Sequence, residues 1–140
     1  MAMRILLVED EPGNVKLITR VLERRGGFQV RHTQDPADAL RIATSCEVEL
    51  VIMDVSLSGS VYDGRPVDGV EITRLMKADA RCAHLPVVLA TAHTMKGDRE
   101  ALLAASGADD YVGKPIIDFD AFIALIARHL GERSTPPTSA

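Results

Sequence analysis

Short apolar runs recur along the chain, and each stops abruptly on polar residues. Ile5-Leu6-Leu7-Val8 runs into Glu9-Asp10-Glu11, and Leu50-Val51-Ile52-Met53 runs into Asp54. Pro86-Val87-Val88-Leu89-Ala90 runs into Thr91, and the shorter Asp110-Tyr111-Val112 leads into Gly113-Lys114-Pro115. Unbroken runs of this length predict strands buried on both faces. Between them the apolar spacing changes to that of helices. Val15, Ile18, Val21 and Leu22 follow Pro12 and end at Gly26-Gly27. Phe28-Gln29-Val30 starts a second strand, and Asp35-Pro36 opens a weaker helix through Ala39, Leu40 and Ala43. Helices are expected over Val70–Lys77 and Lys96–Ser106, the latter closed by Gly107. Phe119, Phe122, Ile123, Ile126 and Leu130 define the last helix, with Asp118 as its cap and Gly131 as its stop.

Five strand–helix pairs in succession predict an α/β domain with one parallel sheet and helices on both faces. The length of 140 residues fits one domain. Sixteen basic against twenty acidic residues leave a net charge of −4, which lacks the broad positive field of a nucleic-acid binder. Cys46 and Cys82 are too few and too isolated for a disulfide framework or a zinc site, and they fit reduced thiols in a cytoplasmic protein. The N-terminus has no signal-peptide pattern, and no stretch approaches a membrane span, so no membrane partner is expected. The Ser/Thr/Pro-rich end, 131–140, reads as a flexible tail, and the Met1 start fits a natural N-terminus. His32, His84 and His129 read as surface residues, His93 as a solvated loop histidine and Arg24-Arg25 as a solvated helix end.

The chemistry gathers at the strand ends, where open parallel sheets build their sites. If the first and third strands are neighbours, Glu9, Asp10 and Asp54 crowd one small pocket. Such crowding raises carboxyl pKa values or recruits a metal. Oxygen-only ligands favour Mg²⁺. One carboxylate could instead act as a nucleophile, with Lys114 and Thr91 available to donate to phosphoryl oxygens.

VEDEP, VIMD, ATAH and YVGKP, in this order and each at a strand's end, resemble the receiver domain of two-component response regulators. The resemblance covers 3–130 and implies a flavodoxin-like (βα)5 fold, doubly wound, with strand order 2-1-3-4-5. It implies that Asp54 is the phosphoacceptor, taking a phosphoryl group from a phosphohistidine on a sensor histidine kinase or histidine phosphotransfer protein. Glu9, Asp10, Asp54 and the backbone carbonyl of Ser56 match the Mg²⁺ ligands, with Mn²⁺ as a substitute. Lys114 matches the family's lysine, with a cis Lys114–Pro115 bond. Thr91 and Tyr111 match the switch pair that passes the signal to the fourth helix, fifth strand and fifth helix. The expected role is a phosphoacceptor that assists its own phosphorylation and dephosphorylation, not an enzyme with an external substrate. With no room for an output module in 140 residues, the resemblance is to a single-domain regulator that signals through protein contact, as a monomer or a phosphorylation-dependent homodimer.

Two other readings compete. A metal-dependent phosphohydrolase with Asp54 as nucleophile usually carries a second Asp two residues on, where this chain has Ser56. A flavin or nucleotide domain would need a phosphate loop after the first strand, where Glu9-Asp10-Glu11 repels phosphate. The chain departs from the family pattern after Asp54. The expected proline is Ser58, and the Asp-Gly that opens the third helix is Asp68-Gly69. About seven extra residues result, a small cost because each doubling of a loop costs only ~0.6 kcal/mol. The stretch 55–67 reads as a loop that covers the pocket or meets a partner, anchored by Tyr62 and Arg65.

Overall fold

The computed structural model describes residues 2–57, 60–92 and 97–134. Ser58, His93, the start of the fourth helix at Lys96 and the tail beyond Ser134 lie outside the described residues. The elements are β1 (Arg4–Val8), α1 (Pro12–Gly26), β2 (Gln29–Thr33), α2 (Pro36–Thr44), β3 (Leu50–Asp54), β4 (Val61–Tyr62), β5 (Arg65–Pro66), α3 (Gly69–Ala78), β6 (Val87–Thr91), α4 (Asp98–Ser106), β7 (Asp110–Gly113) and α5 (Phe119–Ser134).

Five strands form one parallel sheet in the order β2-β1-β3-β6-β7. With the short β4–β5 pair set apart, this is the expected 2-1-3-4-5. Alternation along the strands divides the core into two layers. Leu6, Val8, Val51, Met53, Val87 and Leu89 pack against α2 and α3 through Ala39, Ile42, Ile72 and Met76. Ile5, Leu7, Leu50, Ile52, Val88 and Ala90 pack against α1 and α5 through Ile18, Leu22, Phe122 and Ile126. Strands covered on both faces must be apolar at every position, which is why they read as unbroken runs. Among the described residues no helix is long and apolar enough to cross a membrane.

The second strand starts where expected, at Gln29, and runs to Thr33, with Arg31 and His32 exposed as an edge strand allows. Two expectations need correction. Gly131 does not stop the last helix, which continues to Ser134. One interior glycine costs only about 1 kcal/mol relative to alanine, too little to end a helix that is packed against α1. The stretch after Asp54 is not all loop. Val61–Tyr62 pairs antiparallel with Arg65–Pro66 across Asp63 and Gly64, whose φ angles are 53° and 77°. Positive φ at both central residues is what a two-residue hairpin turn of this hand requires, and Asp-Gly supplies it at little cost. Tyr62 packs against the α2–α3 core layer, whereas Arg65 is exposed.

Candidate metal and phosphoryl site

The site forms at the carboxyl ends of β1, β3, β6 and β7. The register places Val8 beside Met53 and Asp54 beside Ala90, so Glu9-Asp10 and Asp54 emerge on adjacent strands. Glu9 and Asp54 are almost wholly buried, and Asp10 is half-buried. One carboxylate oxygen from each of Glu9, Asp10 and Asp54 lies within 4.8 Å of the others. These acids, with Glu11, Pro12, Asn14, Ser56 and Lys114, line an open pocket of about 380 Å³. No described hairpin residue lines it, so the expected cover over the pocket is absent among the described residues.

Each side chain has a backbone reason for its position. Glu11 accepts from Gly13 N and Asn14 N, at 3.0 and 2.7 Å, and so caps α1. Glu9 Oε2 accepts from Glu11 N at 3.2 Å, and Ser56 N donates to Asp54 Oδ1 at 3.2 Å. The Lys114 backbone N donates to the Thr91 carbonyl at 2.8 Å, tying the ends of β6 and β7 together. The Lys114–Pro115 bond is cis. Lys114 Nζ then reaches Asp54 Oδ1 at 2.9 Å and Glu9 Oε1 at 3.4 Å. Gly69 seats α3 directly on the backbone of Asp54. Its N donates to the Val55 carbonyl at 2.9 Å, and a Cβ there would stand 2.0 Å from the Asp54 carbonyl oxygen. No other residue fits.

Burial pushes the Asp54 carboxyl up to about 6, and Glu9 adds to this while Lys114 opposes it. Burial works against the Lys114 charge, but the Asp54 hydrogen bond and both carboxylates outweigh it and hold the ammonium above its ordinary value. Three carboxylates face one ammonium, so ionisation of all four groups leaves two negative charges. A hard divalent cation with oxygen ligands would balance that deficit, and the donor set fits Mg²⁺.

Thr91 is buried at the end of β6, and Tyr111 is half-buried on β7. The elements α4, β7 and α5 meet at a residue not anticipated. Asp110 accepts from Arg128 and His129 of α5, both at 2.9 Å, and from Tyr111 N at 2.8 Å. Arg99 of α4 lies 3.5 Å from it. His129 is therefore a partnered, mostly buried histidine rather than a surface one. His32 is partnered too, through Nε2 to the Glu9 carbonyl at 2.7 Å. Arg25 is not merely solvated, since it pairs with Asp120 and lies over the Phe119 ring. No local signal marks these contacts, because each partner arrives from a different element.

A five-stranded doubly wound sheet with clustered acids, a lysine and a threonine at its carboxyl edge defines the class of receiver domains of two-component signalling. The chain belongs to the response regulator receiver domain family, whose model matches residues 5–127. It is similar to the polar-differentiation response regulator DivK of Brucella ovis, at 33% identity over 132 residues, covering 94% of this chain and 99% of that protein. DivK of Brucella anthropi matches equally, also at 33% over 132 residues, with 94% and 99% covered. Among solved structures, the receiver domain of sensor histidine kinase PA1611 from Pseudomonas aeruginosa PAO1 is 30% identical, with a TM-score of 0.78 and coverage of 94% and 99%. That domain has a magnesium ion coordinated in its active-site cleft. The signal receiver domain of a histidine kinase from Syntrophus aciditrophicus has a TM-score of 0.79 at 25% identity, covering 99% of this chain and 98% of that one.

Proposed function

We propose that Asp54 accepts the phosphoryl group of a phosphohistidine carried by a sensor histidine kinase or a histidine phosphotransfer protein. A carboxylate oxygen of Asp54 attacks phosphorus, the P–N bond breaks with its electron pair going to nitrogen, and the ring, already protonated at its other nitrogen, leaves as neutral imidazole. The product is an acyl phosphate on Asp54. The observation that carries this reading is a buried carboxylate at a pocket mouth, with an ammonium 2.9 Å away and two further acids beside it. Glu9, Asp10 and Asp54, with the Ser56 carbonyl, would hold Mg²⁺, which when bound neutralises charge at the phosphoryl oxygens. Lys114 offsets charge on a second oxygen, and the Thr91 hydroxyl donates to a third. Its partner change then moves through Tyr111 to the face of α4, β7 and α5, and altered protein binding is the output. Ser56, standing where aspartate-nucleophile phosphatases carry a second acid, argues for a phosphoacceptor rather than an enzyme with an external substrate.

Incubation with Mg²⁺ and a small acyl phosphate, followed by intact mass measurement, tests this. One labile phosphoryl group is expected in the wild type and none in Asp54→Ala or in excess chelator. An adduct that persists in Asp54→Ala, or none in the wild type, contradicts the reading. Lys114→Ala is expected to accept the group more slowly and to lose the response at Tyr111.

A further inference from the structure

We propose that Asn14 orients the water that removes the phosphoryl group from Asp54, and so sets how long the signal lasts. The inference rests on the reading of Asp54 as the phosphoacceptor.

Asn14 lies in the first turn of α1, where nothing local calls for it. Asparagine favours caps and turns and is a poor helix former elsewhere. Here Glu11 already caps the helix, accepting from Gly13 N and Asn14 N. The Asn14 side-chain amide has no hydrogen-bond partner among the described residues, yet the residue is half-buried. The helix repeat gives the reason. Asn14, Ile18 and Leu22 fall at i, i+4 and i+8, and Ile18 and Leu22 are buried against the sheet. Asn14 continues this inward stripe one turn further, to the carboxyl edge of the sheet. There it lines the phosphoryl pocket with Asp54 and Lys114. Helical side chains lean toward the N-terminus of their helix, and the N-terminus of α1 is the end at this pocket. The stripe therefore ends on an amide where it leaves the core.

Loss of the phosphoryl group needs a water in line with the bond from phosphorus to Asp54. The water oxygen attacks phosphorus, and the P–O bond breaks with its electron pair returning to the Asp54 carboxylate. The water proton leaves on the released phosphate. An amide moves no proton, but its oxygen accepts from the water and its N–H donates to a phosphoryl oxygen. It thereby supplies the orientation that an unheld water lacks. Other lining groups are already committed. Lys114 holds Asp54 and Glu9, Glu11 holds the helix, and Asp10 belongs to the acid set that would bind the cation. Ser56 also offers a donor and an acceptor, but its side chain is exposed.

The test phosphorylates the full chain with Mg²⁺ and acetyl phosphate, removes the donor, and follows decay of the adduct by intact mass. Asn14→Ala and Asn14→Leu both remove the amide. Both residues are better helix formers than asparagine, so the fold is not at stake. Leucine also keeps a branched side chain and extends the apolar stripe, which preserves the packing. Each variant is expected to lengthen the lifetime of the adduct about tenfold, and by a larger factor than it slows formation. An unchanged lifetime in either variant overturns the proposal. So does a lifetime that lengthens no more than formation slows, since that marks general damage to the site. A lifetime that responds to Ser56→Ala and not to the Asn14 variants assigns the role to the hydroxyl and overturns it too. A wild type that takes up no phosphoryl group overturns the phosphoacceptor reading together with this inference, whereas an adduct of unchanged lifetime overturns the role of Asn14 alone.

Discussion

Asp54 and Asp110 are buried to nearly the same degree, at 2% and 6% exposure, yet their environments treat the carboxylate in opposite ways. Asp54 faces two acids and one lysine, and burial lifts its carboxyl to about 6. At Asp110 burial also opposes the charge. There the hydrogen bond from His129, the Tyr111 N–H and the nearby cations outweigh it, and the carboxyl is held below its ordinary value. Burial alone therefore does not decide whether an acid is comfortable; the partners do. Asp110 is a finished structural joint between α4, β7 and α5. Asp54 is left short of positive charge at the place where a cation and a phosphoryl group would enter.

The largest expected effect comes from moving one acid without touching the other. Gly69→Ala places a methyl group against the Asp54 backbone and should cost about 3 kcal/mol of stability, because neither β3 nor α3 can yield without disturbing the core. Denaturant unfolding measures this. An Asp54 that titrates elsewhere beside an unchanged Asp110 would show the disturbance to be local.

Asp110→Asn should cost about 2 kcal/mol near neutral pH through weakened charged hydrogen bonds. The ion pairs to Arg99 and Arg128 add little, since both side chains are more than half exposed. Because the folded carboxyl lies below its unfolded value, this contribution is present above the ordinary value of 3.8 and is lost as pH falls through the folded one. The difference between wild type and variant should shrink in acid.

Asp54→Asn should act with the opposite sign and the smallest size. The metal-free folded state keeps a proton on Asp54 that the unfolded chain releases, so the wild type loses stability as pH rises from about 4 to about 6. The variant escapes that loss and should gain on the order of 1–2 kcal/mol above pH 7, less than the full shift because Lys114 loses a partner. Thermal unfolding without metal at both ends of the range measures it. No gain at high pH would mean that Lys114 already neutralises the pocket.

The same contrast explains what was legible in the sequence. Glu9 and Asp10 follow, and Asp54 and Thr91 end, strands that must be apolar to lie between two helical layers, so chain position alone placed them at one edge of the sheet; Lys114 follows the half-buried edge strand β7 and was marked by its Gly-Lys-Pro setting instead. Asp110 follows no such run, and its partners lie on α4 and α5, so only the packing brings them together. The second strand was half visible because, at the sheet edge, Arg31 and His32 are both exposed and look like loop residues. The hairpin had a readable signal in Asp63-Gly64 between Val61-Tyr62 and Arg65-Pro66, but strands of two residues offer no alternation to support it. The packing of Tyr62 against the α2–α3 core layer is a tertiary property.

Carboxyl-carbon NMR titration of the two aspartates tests the central claim most directly. Without metal, Asp54 should titrate near 6 and Asp110 below its ordinary value. Saturating Mg²⁺ should bring the Asp54 midpoint down and leave Asp110 unmoved. An Asp54 that titrates at or below its ordinary value without metal, or a Mg²⁺ effect of equal size at both carboxyls, would contradict the account.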